Sequence, residues 1–299
     1  MTIVTGIASV TARLGMLHWL GDIFALLIDT YFWLSLAGLI GFVLLRKWRW
    51  TSVAGLIFAF NASSLIGYLP INQRADASSQ RDVRLFVYNM YYDNNALNAV
   101  LDEIEAHDPD VVFLMEYSYA IQQEIESRFT DYPYRVIEPS RITMGLALFS
   151  RIPLGETHVH RFAETRIPIY QIEMEIAEQP VTLVGGHPWP PIGRWGQLHR
   201  DQMADITAIA AQSSGPLIVA GDFNASQWSY AVQNLAQMSR VEDARYGFGF
   251  QKTWSLNPLF GLPLDHVLVS EEWTVTDYFQ GDAGGSDHVP LIVDLRLEQ

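Results

Sequence analysis

The sequence predicts a mixed α/β fold, β-sheets covered by helices, preceded by an apolar helical hairpin. Short β-branched apolar runs recur along the chain, and several stop at a polar residue. Strands outnumber helices and some follow one another as hairpins, which points to layered sheets with helices outside. Two long, nearly charge-free stretches precede the first strand and have the length of membrane-crossing helices.

The hairpin comes first. Ile23 to Leu45 is 23 residues interrupted by one acid, Asp29, and Thr51 to Leu69 is 19 residues without a charge. Each is about long enough to cross a hydrocarbon core of roughly 30 Å as a helix. Arg46, Lys47 and Arg49 lie in the link beside Trp48 and Trp50. By the positive-inside tendency this turn is cytoplasmic, which puts the chain after Leu69 on the periplasmic or exterior side. Apolar runs this long are uncommon in a soluble protein, and a cleaved signal peptide needs a basic n-region and a shorter apolar core. Upstream, Leu14, Leu17, Gly21 and Phe24 fall at helical spacing beside Arg13 and His18, compatible with an interfacial helix or an extra span. Residues 1–70 are therefore expected to anchor the chain in the lipid bilayer of the inner (plasma) membrane. Residues 71–82, polar and aperiodic, are expected to be a linker.

From residue 83 to 299 the pattern changes. Strands are expected at Arg84 to Asn89, Val111 to Met115, Gly145 to Ser150, Ile167 to Ile176 and Val181 to Gly186. Further strands are expected from Leu217 to Gly221, Leu264 to Val269 and Val289 to Leu295. Asn94 can cap a helix whose Leu97, Val100, Leu101 and Ile104 share one face, with Pro109 just past its end. Gln197 to Ala211 reads as a second long helix.

Charge narrows the partners. The chain has 33 acids and 19 bases, of which only Asp22, Asp29, Arg13, Arg46, Lys47 and Arg49 precede Leu69, so the remainder carries about −16. That field repels a polyanion, and Lys252 is the only lysine there, which gives broad DNA binding little electrostatic help. The absence of cysteine excludes disulfides, thiolate metal sites and a cysteine nucleophile.

The polar residues at strand ends carry the chemistry. In LIVAGDFNASQW, 217 to 228, Asp222 and Asn224 stand one residue apart after an apolar run, where both can project towards one point. Glu116 directly follows Val-Val-Phe-Leu-Met, and an ionised carboxylate there needs a partner. With Asn89, Asp222, Asn224 and Asp287 as further candidates, the donor set is rich in oxygen and free of sulfur, which suits Mg²⁺ or Mn²⁺ better than Zn²⁺. His187, Asp265 and the Asp287-His288 pair occupy similar strand-end positions.

Seven ordered blocks resemble the endonuclease/exonuclease/phosphatase superfamily: VYN at 87–89, DPDVVFLME at 108–116, GLALFSRIP at 145–153, GGHPWPP at 185–191, GDFNAS at 221–226, LDHVLVS at 264–270 and GSDHVPLIVDL at 285–295. The resemblance spans about residues 82–297 and extends to membrane-tethered bacterial members. It implies a four-layer sandwich, two mixed sheets face to face with helices outside, and metal-dependent hydrolysis of a phosphate ester. Carried over by position, Asn89 and Glu116 would hold the metal with Asp287 close by. Asp222 would deprotonate the attacking water and Asn224 would fix it. His187 and His288 would contact phosphoryl oxygens, with Asp265 setting the charge and tautomer of one histidine, usually that of the Ser-Asp-His block. Tyr91 stands where abasic-site nucleases of the group have an acid, which argues against DNA repair. The expected substrate is a phosphodiester, nucleic acid or lipid headgroup of phospholipid or sphingomyelin type. The alternative from another class is a catalytically silent membrane scaffold on the same fold. His18, His107, His158, His160 and His199 belong to no block and are assigned to surface or packing, as is His266 on its strand.

Overall fold

The computed structural model describes residues 1–70, 80–162, 167–257 and 260–298. Among these, two six-stranded sheets form the body. The first runs β13 (Trp273–Gln280), β14 (Leu291–Leu297), β1 (Val83–Asn89), β2 (Val111–Met115), β4 (Leu146–Ser150), β3 (Tyr134–Glu138). The second runs β5 (Leu154–His160), β6 (Ile169–Ile176), β7 (Gln179–Gly186), β8 (Leu217–Asp222), β12 (Asp265–Ser270), β9 (Val241–Asp243). A two-stranded ribbon, β10 (Trp254–Asn257) and β11 (Phe260–Leu262), stands apart.

Side-chain alternation builds the layers. Along β1, Leu85 and Val87 point between the sheets with Phe113, Ile172, Leu183, Ile218 and Val267. Phe86 and Tyr88 point the other way, onto α5 (Leu97–His107) and α6 (Tyr119–Arg128). On the second sheet Val184, Leu217 and Val219 face α7 (Trp195–Ala210) and α8 (Tyr230–Ser239). The result is helix, sheet, sheet, helix, a mixed α/β fold with two mixed sheets flanked by helices.

Most strands in each sheet are antiparallel, but β1 runs parallel to β2 and β7 parallel to β8. Parallel neighbours need a crossover, supplied by α5 and α7. Both parallel pairs therefore end on carboxyl termini, the usual place for a site in such sheets. Asn94 does not cap α5, which starts at Leu97. It bridges loops instead, donating to the Met90 and Gly284 carbonyls (2.9 and 3.0 Å) and accepting from the Ala96 amide.

The N-terminal region is four helices, α1 (Thr2–Thr11), α2 (Trp19–Ala25), α3 (Ile28–Leu44) and α4 (Trp48–Ala62), then a 3₁₀ turn at Ile66–Tyr68. The two long helices of the sequence reading are redrawn. The first apolar stretch begins at Trp19 and bends by 57° between α2 and α3, and the second begins at Trp48 and stops at Ala62. The reason is contact with the body. Ser226 Oγ donates to the Ala25 carbonyl (2.9 Å) at the bend. Beyond α4, Trp228 Nε1 donates to Ser64 (2.9 Å), and the Gly247 and Gly249 amides donate to Gly67 and Tyr68 (3.0 and 2.8 Å). No single described helix is long and apolar enough to cross a membrane, although the bent α2–α3 pair has the length and composition. Of the expected linker, 71–79 lies outside the described residues.

Candidate active site

The strand ends converge as the topology directs. Asn89 closes β1, Glu116 follows β2, His187 follows β7, Asp222 closes β8, and Asp265 opens β12 directly opposite Asp222. A Cβ at Gly221 would lie 2.0 Å from the Gly186 carbonyl oxygen, so glycine there lets β8 and β7 close up and sets Asp222 beside His187. The Asp222 amide, in turn, points at Met115 Sδ (2.8 Å) across the sheets.

Asp222 is the hub. Its Oδ2 accepts from Asn89 Nδ2 (3.0 Å) and lies 3.5 Å from His187 Nε2 and 3.6 Å from His288 Nε2. Its Oδ1 accepts from the Asn224 amide (2.8 Å). Asn224 donates to the Pro188 carbonyl (3.0 Å) and approaches His187 Nε2 (3.3 Å). His288 Nδ1 bonds Asp265 Oδ2 at 2.7 Å, so Asp265 pairs with the histidine of the Ser-Asp-His block. Ser286 Oγ accepts from the His288 amide (3.0 Å) and donates to the Asn89 carbonyl (2.8 Å), tying this loop to β1.

Burial tunes these groups. Desolvation, followed by the nearby Asp265 charge, raises the Asp222 pKa above the ordinary carboxylate value. Burial works the same way on Asp265, but His288 outweighs it and holds Asp265 low. Burial opposes a charge on His288, yet Asp265 and Asp222 raise it to about 10, an imidazolium at neutral pH. Burial lowers His187, leaving it a neutral imidazole.

Asn89 Nδ2 also donates to Glu116 Oε1 (3.2 Å), and the Tyr92 amide donates to Glu116 Oε2 (3.0 Å). Glu116, Tyr91 and Asn224 all have left-handed backbone, φ +58°, +62° and +50°. That costs about 1 kcal/mol or more for a residue with a side chain and tends to persist where a site is being held in shape. Among the described residues no lysine or arginine lies within ion-pair distance of Glu116, Asp222 or Asp265. Glu116 and Asp222 thus present carboxylate oxygens on either side of the Asn89 side-chain amide, whose own oxygen accepts from the Tyr91 amide (3.1 Å), and this donor chemistry fits a hard divalent cation. Asp287 stands at the exposed rim, where its Oδ2 takes the Trp254 indole N–H (2.7 Å) instead of meeting Asn89 or Glu116. The closest described grouping of acid and histidine ligand atoms is a different one, Asp222, Asp265 and His288, within 4.8 Å of one another. The short Asp265–His288 bond makes that group an acid–imidazole pair beside a base.

Several supporting residues escape sequence reasoning. Arg245, fully buried, donates to the Asp265 carbonyl (2.7 Å), Gln227 Oε1 (3.2 Å) and Tyr278 Oη (3.3 Å). Thr253 Oγ1 receives the Asp265 amide (2.9 Å). His199 and His266, assigned to packing, are buried braces of the 222–226 loop: their Nε2 atoms bond the Phe223 (2.9 Å) and Ala225 (2.7 Å) carbonyls. The carbonyls they brace lie 24 and 41 residues away in sequence, so local pattern gives no sign of this. The remaining histidines are local: His18 Nδ1 caps α2, His107 pairs with Glu103, His158 with Glu156 and His160 with Gln171.

A two-sheet sandwich with an acid–amide–histidine cluster at its strand ends defines a class, and sequence comparison agrees. The model of the Endonuclease/Exonuclease/phosphatase family matches residues 86–288, so the chain belongs to that family. The UPF0294 protein of Vibrio parahaemolyticus is 32% identical over 100 residues, 33% of this chain and 34% of that protein. One from Vibrio vulnificus is 38% identical over 106 residues, 34% and 36% respectively. The chain spans about a third of the length of these curated relatives in the match. Solved structures share the fold. A humanized D. rerio TDP2 has 19% identity and TM-score 0.61, covering 72% of this chain and 98% of that one. The human Nocturnin catalytic domain with bound sulfate anion has 20% identity and TM-score 0.58, covering 73% and 96%. A beta toxin from Staphylococcus aureus has 18% identity and TM-score 0.54, covering 71% and 99%.

Proposed function

We propose that the chain is a membrane-anchored, divalent-metal-dependent phosphodiesterase in which water is the nucleophile. The observation that carries this is the position of Asp222, held by Asn89 and Asn224 on one side and approached by His187 and His288 on the other. A buried carboxylate with a raised pKa is a stronger base than an exposed one, so Asp222 accepts the proton of a water that Asn224 orients. The His288 imidazolium, fixed by Asp265, faces the charge that develops on the phosphoryl oxygens, and neutral His187 adds a second contact. Glu116 and Asn89 would hold Mg²⁺ or Mn²⁺, with Asp287 at the rim of the same cleft, and the cation would supply Lewis-acid stabilisation of that charge. The substrate is a phosphodiester, of nucleic acid or of a lipid headgroup.

The anchor rests on an inverted distribution of side chains. In the N-terminal helices Ser9, Asp22, Asp29, Ser35 and Asn61 are buried, while Ile3, Ile7, Val10, Trp33, Ile40, Val43 and Leu56 are exposed. Water does not favour that arrangement; hydrocarbon does, with polar groups joining helices as Asn61 Nδ2 joins Ser9 Oγ (2.9 Å). Asp29, at the start of α3, pairs with Lys252 of the body (2.8 Å), whereas Arg46 and Lys47 lie past the far end of the helix. With the basic tip cytoplasmic, the body faces the periplasm or exterior of the inner (plasma) membrane. The test is the full-length protein in lipid nanodiscs with Mg²⁺ or Mn²⁺, assayed in parallel against DNA, RNA and phospholipid. A folded protein that hydrolyses no phosphodiester would sink the enzymatic reading, and a C-terminal reporter active only in the cytoplasm would reverse the topology.

A further inference from the structure

The catalytic cluster is the floor of a cleft of about 690 Å³, and one wall of that cleft is not part of the two-sheet body. It is α2, through Leu20, Ile23 and the following Leu26, facing Pro191, Ile192 and Leu262 from the body. The helix is seated there by specific bonds. Asp22 Oδ1 accepts from the Tyr230 amide (2.6 Å), Ser226 holds the Ala25 carbonyl, and Arg200 holds the Gly15 carbonyl (2.7 Å). Trp19 lies so close to Gly196 of α7 that a Cβ there would come within 2.5 Å of its ring.

Two properties of the cleft select its occupant. None of the described residues lining it is lysine or arginine, and apart from Thr143 and the rim residue Asp287 its walls above the floor are apolar or aromatic. A nucleic acid brings flanking phosphates that need cations, and this cleft, in a body of about −16, offers none beyond the floor. The apolar wall also runs outward: Leu20 is 44% exposed, Ile192 64%, and Leu17 just before α2 and Phe24 within it are exposed as well. The lining is therefore continuous from the reactive groups to the apolar surface of the N-terminal helices.

We infer that α2 is a substrate-binding wall and that the substrate is a lipid phosphodiester, its phosphoryl group at Glu116, Asp222 and His288 and its hydrocarbon chain along Leu20, Ile23 and Leu26. This rests on the phosphodiesterase reading above and gives its substrate class. It also makes the anchor part of the site, since each methylene buried on that wall adds roughly fourfold in affinity.

The experiment uses the full-length protein in nanodiscs with Mn²⁺, and compares kcat/KM for octyl p-nitrophenyl phosphate, below its micellar concentration, with that for methyl p-nitrophenyl phosphate. The octyl ester is expected to be preferred by about 100-fold or more, chiefly through KM. Ile23→Asn, and separately Leu20→Ser at its half-exposed position, are expected to cut that ratio at least about tenfold, while Ile23→Val keeps it. A parent without preference, or a preference that both polar variants retain, overturns the inference and leaves the phosphodiesterase standing. If neither ester is turned over, the enzymatic reading fails, and calorimetric binding of octylphosphonate decides the wall on its own: binding weakened by Ile23→Asn supports it, and binding absent or unaltered overturns it.

Discussion

The N-terminal helices and the two-sheet body are built on opposite rules. In the body, Leu, Ile, Val and Phe are buried between layers, and the buried polar groups Asn89, Asp222, Asp265 and His288 meet one another at a cleft. In the helices several polar side chains face inward while many large apolar ones face outward, and Asn61 and Asp29 join helices to each other or to the body. Burying a polar group is costly wherever it happens. The body gathers its largest group of buried charges at the cleft; the helices spread theirs along seams.

Substitutions of equal size in the two regions should therefore have very unequal effects. Asp222→Asn keeps shape and most hydrogen bonding but removes the base, so turnover should fall at least ~10²-fold with the fold retained. Asn61→Leu, which breaks the Asn61–Ser9 bond of the helices, should leave kcat within about twofold and alter only stability. Equal losses from both, measured on full-length protein, would end the distinction.

Acid should act on the body. His199 and His266 are pushed down by burial to about 4, below the ordinary 6.5. The unfolded chain then binds protons that the folded one refuses, so their contribution is complete above about pH 6.5 and is lost as the pH falls towards 4. At roughly 1.4 kcal/mol per pKa unit, this reaches at most ~3 kcal/mol for each. Thermal melts between pH 7 and 4 should show the decline, and His199→Gln should flatten it; an unchanged slope would show that His199 is not held neutral.

A smaller effect concerns the cation. Glu116→Gln removes the strongest anionic donor and should weaken Mn²⁺ binding and activation about tenfold or more, with EDTA abolishing turnover in parent and variant alike. Metal dependence unaltered in Glu116→Gln would move the donor set elsewhere. Smallest is the seam itself. The Asp29–Lys252 pair has a lysine side chain 40% exposed, so Asp29→Asn should cost no more than ~1 kcal/mol, read as a shift of a few degrees in melting temperature.

The legible parts of the chain were those where local pattern and tertiary role coincide. β2 and β8 are unbroken apolar runs because both faces are covered, and the polar residue ending each run is the site residue, which is why Glu116 and Asp222 stand out. Edge strands carry no such mark. β5, Leu-Gly-Glu-Thr-His-Val-His, lies at the end of its sheet with most of its side chains exposed, so its sequence looks like a loop. The break between α2 and α3 contains neither proline nor glycine; it follows from where Ser226 meets the Ala25 carbonyl, two hundred residues away in sequence. Arg245 is invisible for the same reason, since a lone arginine among polar neighbours reads as surface and only the assembled sheets enclose it.

The bond from Ser226 to Ala25 lies two residues beyond Asn224 and one residue before the bend that starts α3. The site loop and the N-terminal helices thus share a joint, and neither is a module that can be exchanged freely. A chimera carrying unrelated N-terminal helices would keep its floor of acids and histidines yet lose a side of its cleft, and should emerge with altered selectivity. Proteolytic release of the body should have the same outcome, opening the cleft to small water-soluble esters. Residues around 20–26 and 224–228 are expected to covary across relatives as though they were neighbours in a single domain.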